Sequence, residues 1–301
     1  MINTLTTLTG KPRNCIDALL LAICLLLCAP VMAQPYERAE VLDSAIRFAN
    51  VPVDGDRIHY AHAGDEDKPG IIFIHGTPGG WGAFEVYLSN KSLQQDFFMV
   101  SVDRLGWGAS QLNRGLEMNA AAKKINARKT GVFEVQARSI LAVMARYPGK
   151  RWLLVGHSLG ASIAPKIAVL DDEKVAGMLL LAGSLKPNLG KPRWYNRAAS
   201  TLLVRWMLPA ALKYSNDEIM ALRKQLSLLD KEITDGQFSA KVVIMQGMKD
   251  KLVSPKNPQY ALENWQSHFS DLQTIELPEA GHFLPWEQTP LVIETIRQFE
   301  F

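Results

Sequence analysis

Short runs of consecutive apolar residues recur along the chain after residue 45, and turn-forming residues separate them. Runs of this length are typical of strands that are buried on both faces of a sheet. Five runs have this character: 70–76, 97–103, 151–157, 175–183 and 241–247. Strand patterns also occupy 45–55 and 57–64, joined by a turn at Asp54 and Gly55, and 272–279. The pattern therefore predicts eight strands.

Helical spacing fills most of the intervals between these strands. Apolar residues recur every three or four positions in four segments: 133–147, 159–170, 260–269 and 291–300. Buried strands that alternate with helices predict a sheet whose strands are mostly parallel and whose two faces are covered. The predicted fold class is therefore α/β, with a mostly parallel eight-stranded sheet flanked by helices.

Two long intervals depart from this alternation. Residues 111–131 form a polar connection with five basic residues, a composition typical of a solvated surface. Residues 186–240 separate two buried strands and contain helical patterns at 198–214 and 216–233. We interpret this second interval as an inserted helical lid.

Composition places few limits on the partners of the chain. Hydrophobic residues make up 48% and charged residues 21% of its 301 residues, and the formal net charge is +3 at pH 7. These values are ordinary for a globular protein. A charge so close to neutral gives no reason to expect nucleic acid or an acidic membrane surface as the main partner.

The first 33 residues have a different composition from the rest. Lys11 and Arg13 precede an uncharged apolar run at 18–33, which is shorter than the roughly 20 residues that span a bilayer and ends in small residues. This pattern predicts a signal peptide cleaved before Gln34, with an uncleaved N-terminal anchor as the alternative. The expected location is periplasmic or secreted, with membrane association only through a retained N-terminal segment.

All three cysteines of the chain lie in this leader, at positions 15, 24 and 28. The mature chain is therefore expected to have no disulfide, thiol nucleophile or thiolate metal site. His59 and His62 lie three residues apart on a predicted strand, so their side chains point to opposite faces and cannot share a metal ion. The sequence predicts no metal site.

A serine lies between two glycines where a predicted strand gives way to a helix, in Gly156-His157-Ser158-Leu159-Gly160. A sharp strand-to-helix turn strains the backbone, and glycines at these two positions avoid clashes. The turn holds the hydroxyl at the carboxyl edge of the sheet, where the first N–H groups of the helix also point. This context predicts that Ser158 is a nucleophile.

A serine nucleophile requires a general base and a group that orients the base. His282 follows the last predicted strand, in a loop that can reach the same edge of the sheet, and is the predicted base. Asp250 follows the strand at 241–247 and is the predicted orienting carboxylate. The chain order Ser158, Asp250, His282 matches one known triad arrangement.

Two backbone N–H groups are predicted to stabilise the oxyanion of a tetrahedral intermediate. One belongs to Leu159, directly after the predicted nucleophile. The other belongs to Thr77, in the glycine-rich turn 75–80 that follows the first buried strand.

With these residues in place, the chain resembles the α/β-hydrolase superfamily over about residues 45–300, in its lid-bearing serine esterase-like branch. The resemblance implies a hydrolase core at 34–185 and 241–301, a lid at 186–240, a covalent acyl-enzyme and no cofactor. Epoxide hydrolases and haloalkane dehalogenases of this superfamily carry aspartate at the nucleophile position, so Ser158 argues against both activities. The residues that carry the resemblance are 75–79, 103–110, 156–160, Asp250, Gly281 and His282.

The predicted function is the hydrolysis of small-molecule carboxylic esters with small or medium apolar acyl groups. Amide, peptide or C–C hydrolysis by the same triad, and a non-catalytic binding protein on this scaffold, are the alternatives. Apolar side chains of the predicted lid are expected either to roof an acyl pocket or to pack the lid onto the core. They are Leu202, Leu203, Trp206, Met207 and Leu208.

Overall fold

The computed structural model describes residues 45–110 and 132–301. The predicted leader at 1–33 and the basic connection at 111–131 lie outside the described residues. Among the described residues, no helix is both long enough and apolar enough to cross a bilayer.

The described strands form one sheet in the order β1-β2-β4-β3-β5-β6-β7-β8. Strands β1 and β2 pair antiparallel, as do β2 and β4, and all other neighbouring strands are parallel. The predicted eight-stranded, mostly parallel sheet is therefore confirmed. Its strands are β1 (Arg47–Val53), β2 (Asp56–Ala63), β3 (Gly70–Ile74), β4 (Phe98–Asp103), β5 (Trp152–His157), β6 (Val175–Leu181), β7 (Phe238–Gly247) and β8 (Phe269–Leu277).

The described helices lie between and after these strands. Short 3₁₀ turns at Trp81–Phe84, Asp172–Lys174 and Gln266–His268 accompany them. The α-helices are α1 (Glu85–Leu88), α2 (Lys91–Asp96), α3 (Val132–Met144), α4 (Leu159–Leu170), α5 (Trp194–Ala199), α6 (Leu202–Met207), α7 (Ala210–Thr234), α8 (Asn257–Trp265), α9 (Leu284–Glu287) and α10 (Thr289–Ile296).

Each face of the sheet has its own apolar core. Side chains alternate along a strand, so Ile72 of β3 joins the core formed with α3, α4, α7 and α8. Phe73 joins the opposite core, formed with α1, α2, α9 and α10. Helices cover both faces of the sheet. In open α/β sheets of this kind, a site forms at the carboxyl ends of the parallel strands and in the loops that follow them.

The interval between β6 and β7 contains three helices where the sequence pattern indicated two. The pattern at 198–214 is divided among α5, α6 and the first turn of α7, because Pro209 caps the N-terminus of α7. Proline lacks the N–H that a continuous helix requires at this position. Helix α7 then buries Leu226, Leu229 and Ile233 against the core.

The predicted burial of the lid side chains is wrong for four of the five residues named. Leu202, Leu203, Trp206 and Met207 are exposed, and neither α5 nor α6 contains a buried residue. These side chains therefore neither roof an enclosed pocket nor pack the insertion onto the core. Contact with the core is made by α7 instead.

Candidate active site

Ser158 occupies a strained turn between β5 and α4. It caps the N-terminus of α4 with φ 54° and ψ −118°, a left-handed conformation that is rare for a residue other than glycine. Its backbone N–H donates to the carbonyl of Leu181 at 2.9 Å, which ties the turn to the end of β6. The strain that the glycine–serine pattern predicts is therefore present, and it costs roughly 1–3 kcal/mol.

The two glycines that flank Ser158 allow backbone to approach backbone. A Cβ at Gly160 would lie 2.0 Å from the carbonyl oxygen of Ile74, and one at Gly156 would lie 2.6 Å from the backbone nitrogen of Ala161. No side chain fits either space. Helix α4 therefore starts directly against β3 and β5, with its first turn at the carboxyl edge of the sheet.

The loop after β3 lies against Ser158. A Cβ at Gly76 would be 3.0 Å from the Cβ and 3.5 Å from the Oγ of Ser158. The next residue is Thr77, whose hydroxyl oxygen is buried without a hydrogen-bond partner. The Leu159 N–H belongs to the first turn of α4, where N–H groups have no partner within the helix. The two predicted oxyanion donors thus lie on segments that border the serine.

Asp250 and His282 form a buried pair at the ends of β7 and β8. Nδ1 of His282 lies 2.7 Å from Oδ2 of Asp250, and the two side chains are almost inaccessible to solvent. Oδ1 accepts from the N–H groups of Leu252 and Val253 at 2.8 and 2.9 Å, and Nε2 of Gln246 donates to Oδ2 at 3.2 Å. The carboxylate is therefore held in one orientation by the backbone that follows it.

The surroundings of Asp250 favour its charged form. Burial by itself raises the pKa of this carboxyl, but the hydrogen bond and the charge of His282 and the two backbone N–H groups outweigh it, so the net pKa lies below the usual range. An ionised Asp250 accepts the Nδ1 proton of His282. Nε2 of His282 is then the nitrogen left to take up a proton.

His157 links the serine turn to the histidine loop. Its Nε2 donates to the backbone carbonyl of His282 at 3.0 Å, and the two rings lie 4.9 Å apart. Since His157 directly precedes Ser158, this contact holds His282 at the end of β5. Among the described residues, no hydrogen bond joins the Ser158 hydroxyl to His282, a contact that often tightens only when substrate binds.

His157 itself is a neutral donor. Burial, followed by the nearby charge of His282, lowers the pKa of His157 to about 3. The sequence pattern gave this residue no role, because nothing in the spacing shows which loop its side chain meets.

Arg104, directly after β4, binds the backbone of the loop after β3. Its Nε donates to the carbonyl of His75 at 3.0 Å, and its Nη2 donates to the carbonyl of Gly76 at 2.7 Å. The guanidinium also forms a two-pronged ion pair with Glu218 of α7, at 2.6 and 3.2 Å. Arg104 and Glu218 are both buried. The inserted helix α7 is thereby connected to the loop that carries Thr77.

His75 is a structural residue of the same loop. Its Nε2 accepts from the N–H of Arg104 at 3.0 Å, so the proton is on Nδ1, which donates to the carbonyl of Gly76 at 2.7 Å. Burial and then the charge of Arg104 hold the pKa of His75 well below its usual range. It is therefore a neutral brace for the turn.

The segment 103–110 stabilises a neighbouring turn. The Asp103 carboxylate accepts from the N–H groups of Trp81 and Ala109 at 2.7 and 2.9 Å and lies 2.8 Å from Nδ1 of His59. A Cβ at Gly108 would lie 2.2 Å from this carboxylate. The segment 103–110 is one of the motifs that carry the family resemblance. No sequence pattern indicated a role for Glu218. Among residues 45–110 and 132–301, no cluster of three or more side chains could hold a metal ion.

Comparisons with known proteins agree with this architecture. The model of the alpha/beta hydrolase family matches residues 71–294, well over half of the chain. Epoxide hydrolase 4 of Homo sapiens is 23% identical over 134 residues, which are 44% of this chain and 33% of that protein. Epoxide hydrolase 3 of Mus musculus is 25% identical over 140 residues, 46% of this chain and 34% of that protein. The matching stretch therefore spans about a third of these relatives.

Solved structures share the fold at low sequence identity. An epoxide hydrolase from Vigna radiata is 15% identical to the chain, with a TM-score of 0.61, and the match covers 84% of this chain and 97% of that one. A thioesterase domain from the curacin biosynthetic pathway is 17% identical with a TM-score of 0.60, covering 85% of this chain and all of that one. The fold, the family model and the strained serine turn lead to one conclusion: the chain belongs to the α/β hydrolase family.

Proposed function

We propose that this hydrolase cleaves carboxylic esters of small or medium apolar acyl substrates through an acyl-enzyme on Ser158. The observation that carries the proposal is the buried Asp250–His282 hydrogen bond, held by His157 beside the strained Ser158 turn. A serine, an imidazole and a carboxylate at one sheet edge are the groups that acyl transfer requires.

The proposed reaction uses the same groups in both half-reactions. His282 takes the Ser158 proton at Nε2 as the hydroxyl attacks the ester carbonyl, and Asp250 stabilises the imidazolium that forms. The N–H groups of Thr77 and Leu159 donate to the oxyanion. His282 then protonates the leaving alcohol, and a water molecule activated by the same imidazole releases the acid.

Epoxide opening, the activity in the names of the curated relatives, does not fit a serine. Attack of a hydroxyl on an epoxide gives an ether, which has no carbonyl for the oxyanion donors and no acyl bond for water to cleave. A carboxylate nucleophile gives an ester, which water can hydrolyse.

We therefore propose acyl chemistry for this chain. Amide and C–C hydrolysis use the same groups. A panel of p-nitrophenyl esters compared with p-nitroanilides separates amide cleavage from ester cleavage.

A fluorophosphonate probe tests the nucleophile directly. We expect the wild-type protein to be labelled and to hydrolyse p-nitrophenyl esters, and Ser158→Ala to lose labelling and at least about 10³-fold in kcat. The control is Ser227→Ala, an exposed serine on α7 that donates only to the carbonyl of Arg223. It should be labelled like the wild type. Equal labelling of Ser158→Ala would refute the assignment, and a folded wild type with neither labelling nor turnover would favour a binding protein.

A further inference from the structure

Helices α5 and α6 present large apolar side chains to solvent. We define the α5–α6 surface as Trp194, Leu202, Leu203, Trp206 and Met207, which are 66%, 89%, 74%, 80% and 72% exposed. Neither helix has a buried residue, so these side chains add nothing to the core. Soluble proteins seldom expose so many large apolar side chains in one short segment without a binding role.

The chain segment that carries this surface is basic. Residues 186–213 contain six basic residues and no acidic one. Arg205 is paired with Asp217 of α7 at 2.7 Å. Within the described part of the chain, Lys191, Arg193 and Arg197 form no salt bridge, and all three are exposed. The net charge of +3 conceals this local excess, because acidic residues elsewhere balance it.

We propose that the α5–α6 surface docks on an anionic lipid bilayer. Leucine and tryptophan side chains on short amphipathic helices insert into the boundary between headgroups and acyl chains, and neighbouring basic residues bind lipid phosphates. Lys191 precedes α5 and Arg197 lies on it, and both are exposed. Basic charge around exposed leucine and tryptophan matches an anionic lipid interface on both counts. The sequence pattern predicts membrane association only through a retained N-terminal segment. The proposed surface would be a second, separate membrane contact.

The position of α5 directs this docking toward the candidate site. Arg193, at the start of α5, donates through Nη2 to the carbonyls of Lys251 and Leu252 at 2.6 and 3.2 Å. These residues directly follow Asp250. A bilayer bound at the α5–α6 surface would therefore lie on the side of the protein where the site loops are. Docking itself does not depend on the proposed ester hydrolysis.

Hydrogen exchange with mass spectrometry locates the contact in the full chain. Vesicles of phosphatidylglycerol and phosphatidylcholine in equal parts should protect amides of residues 194–208, and pure phosphatidylcholine vesicles or high salt should protect them much less. Binding to vesicles without this protection would assign the contact to the N-terminal segment and overturn the proposal. Protection that appears without lipid and rises with protein concentration would indicate a second copy of the chain and would also overturn it.

Variants test the two components of the surface by vesicle sedimentation. Leu203→Ser with Trp206→Ser, and separately Lys191→Glu with Arg197→Glu, should each lower the partition coefficient by roughly tenfold or more. The matched controls are exposed elsewhere: Val86→Ser with Leu228→Ser, and Lys68→Glu with Lys224→Glu. The controls should stay within about twofold of the wild type. Equal losses in the variants and in their controls would overturn the proposal.

Discussion

At the scale of single residues, the site depends on how closely the backbone of α4 approaches the sheet. Gly160 has the carbonyl oxygen of Ile74 where its Cβ would be, and Gly76 has the side chain of Ser158 nearby. Backbone atoms cannot move aside as a flexible side chain can. The glycines are therefore required by contacts between segments that are far apart in the chain, in addition to the local turn.

Substituting Gly160 should therefore be costly. We expect Gly160→Ala to lower the free energy of unfolding by about 3 kcal/mol, because the added methyl must separate α4 from β3. Gly82→Ala is the matched control, since a Cβ at Gly82 meets no atom within 4 Å. It should change stability by no more than about 0.5 kcal/mol. Urea unfolding measures both, and similar values for the two variants would contradict the close approach at Gly160.

At the scale of elements, α7 is held to the core by apolar packing and to the site loops by one buried ion pair. Arg104 and Glu218 form that pair, and Arg104 also donates to the two carbonyls that precede Thr77. The adjacent residue of the same helix, Asp217, forms a half-exposed pair with Arg205. The two neighbouring acids on α7 thus offer a matched comparison of a buried and an accessible ion pair.

Glu218→Gln should be much more damaging than Asp217→Asn. Neutralising Glu218 leaves the Arg104 charge buried and unpaired, which we expect to cost about 3 kcal/mol of unfolding free energy. Asp217→Asn should cost no more than about 1 kcal/mol. If Arg104 also positions the Thr77 loop, Glu218→Gln should lower kcat for the proposed ester substrates by about tenfold with little change in KM. Equal unfolding free energies for the two variants would contradict this account.

At the scale of the whole molecule, buried neutral histidines make stability depend on pH. His75 and His157 both have pKa values that burial lowers in the folded protein, while a histidine in the unfolded chain titrates near 6.5. Below that pH the unfolded chain binds protons that the folded chain does not. The free energy of unfolding must therefore fall as the pH drops. Asp250, whose pKa is also lowered, contributes its stabilisation above pH 3.8 and loses it only under more acidic conditions.

Removing one of these histidines should flatten the pH dependence. Between about pH 6.5 and pH 4.5, His157→Gln should lose roughly 1 kcal/mol per pH unit less stability than the wild type. Glutamine retains an N–H that can donate to the carbonyl of His282. His268→Gln is the control, because His268 is partly exposed and lies in the 3₁₀ turn that follows α8. Parallel stability curves for the wild type and His157→Gln, measured by urea unfolding at each pH, would show that His157 is not held neutral.

The sequence by itself determined most of the sheet and the serine turn. Apolar runs and glycine positions are local features, and local backbone preferences follow from them directly, so the eight strands and the strained conformation of Ser158 were predictable. The pairing of Asp250 with His282 was inferred from the chain order and from the edge at which parallel strands end. That inference works because the fold brings those ends together wherever the intervening segments lie.

Only the tertiary structure decided what each helix face meets. Helical spacing at 198–233 indicated amphipathic helices, but it could not show that α7 buries one face while the large apolar side chains of α6 are exposed. Nor could it show that Glu218 meets Arg104, because 114 residues separate them along the chain. A periodic pattern reports which side chains share a face. The partner of that face depends on how distant segments pack, and that is determined by the whole chain at once.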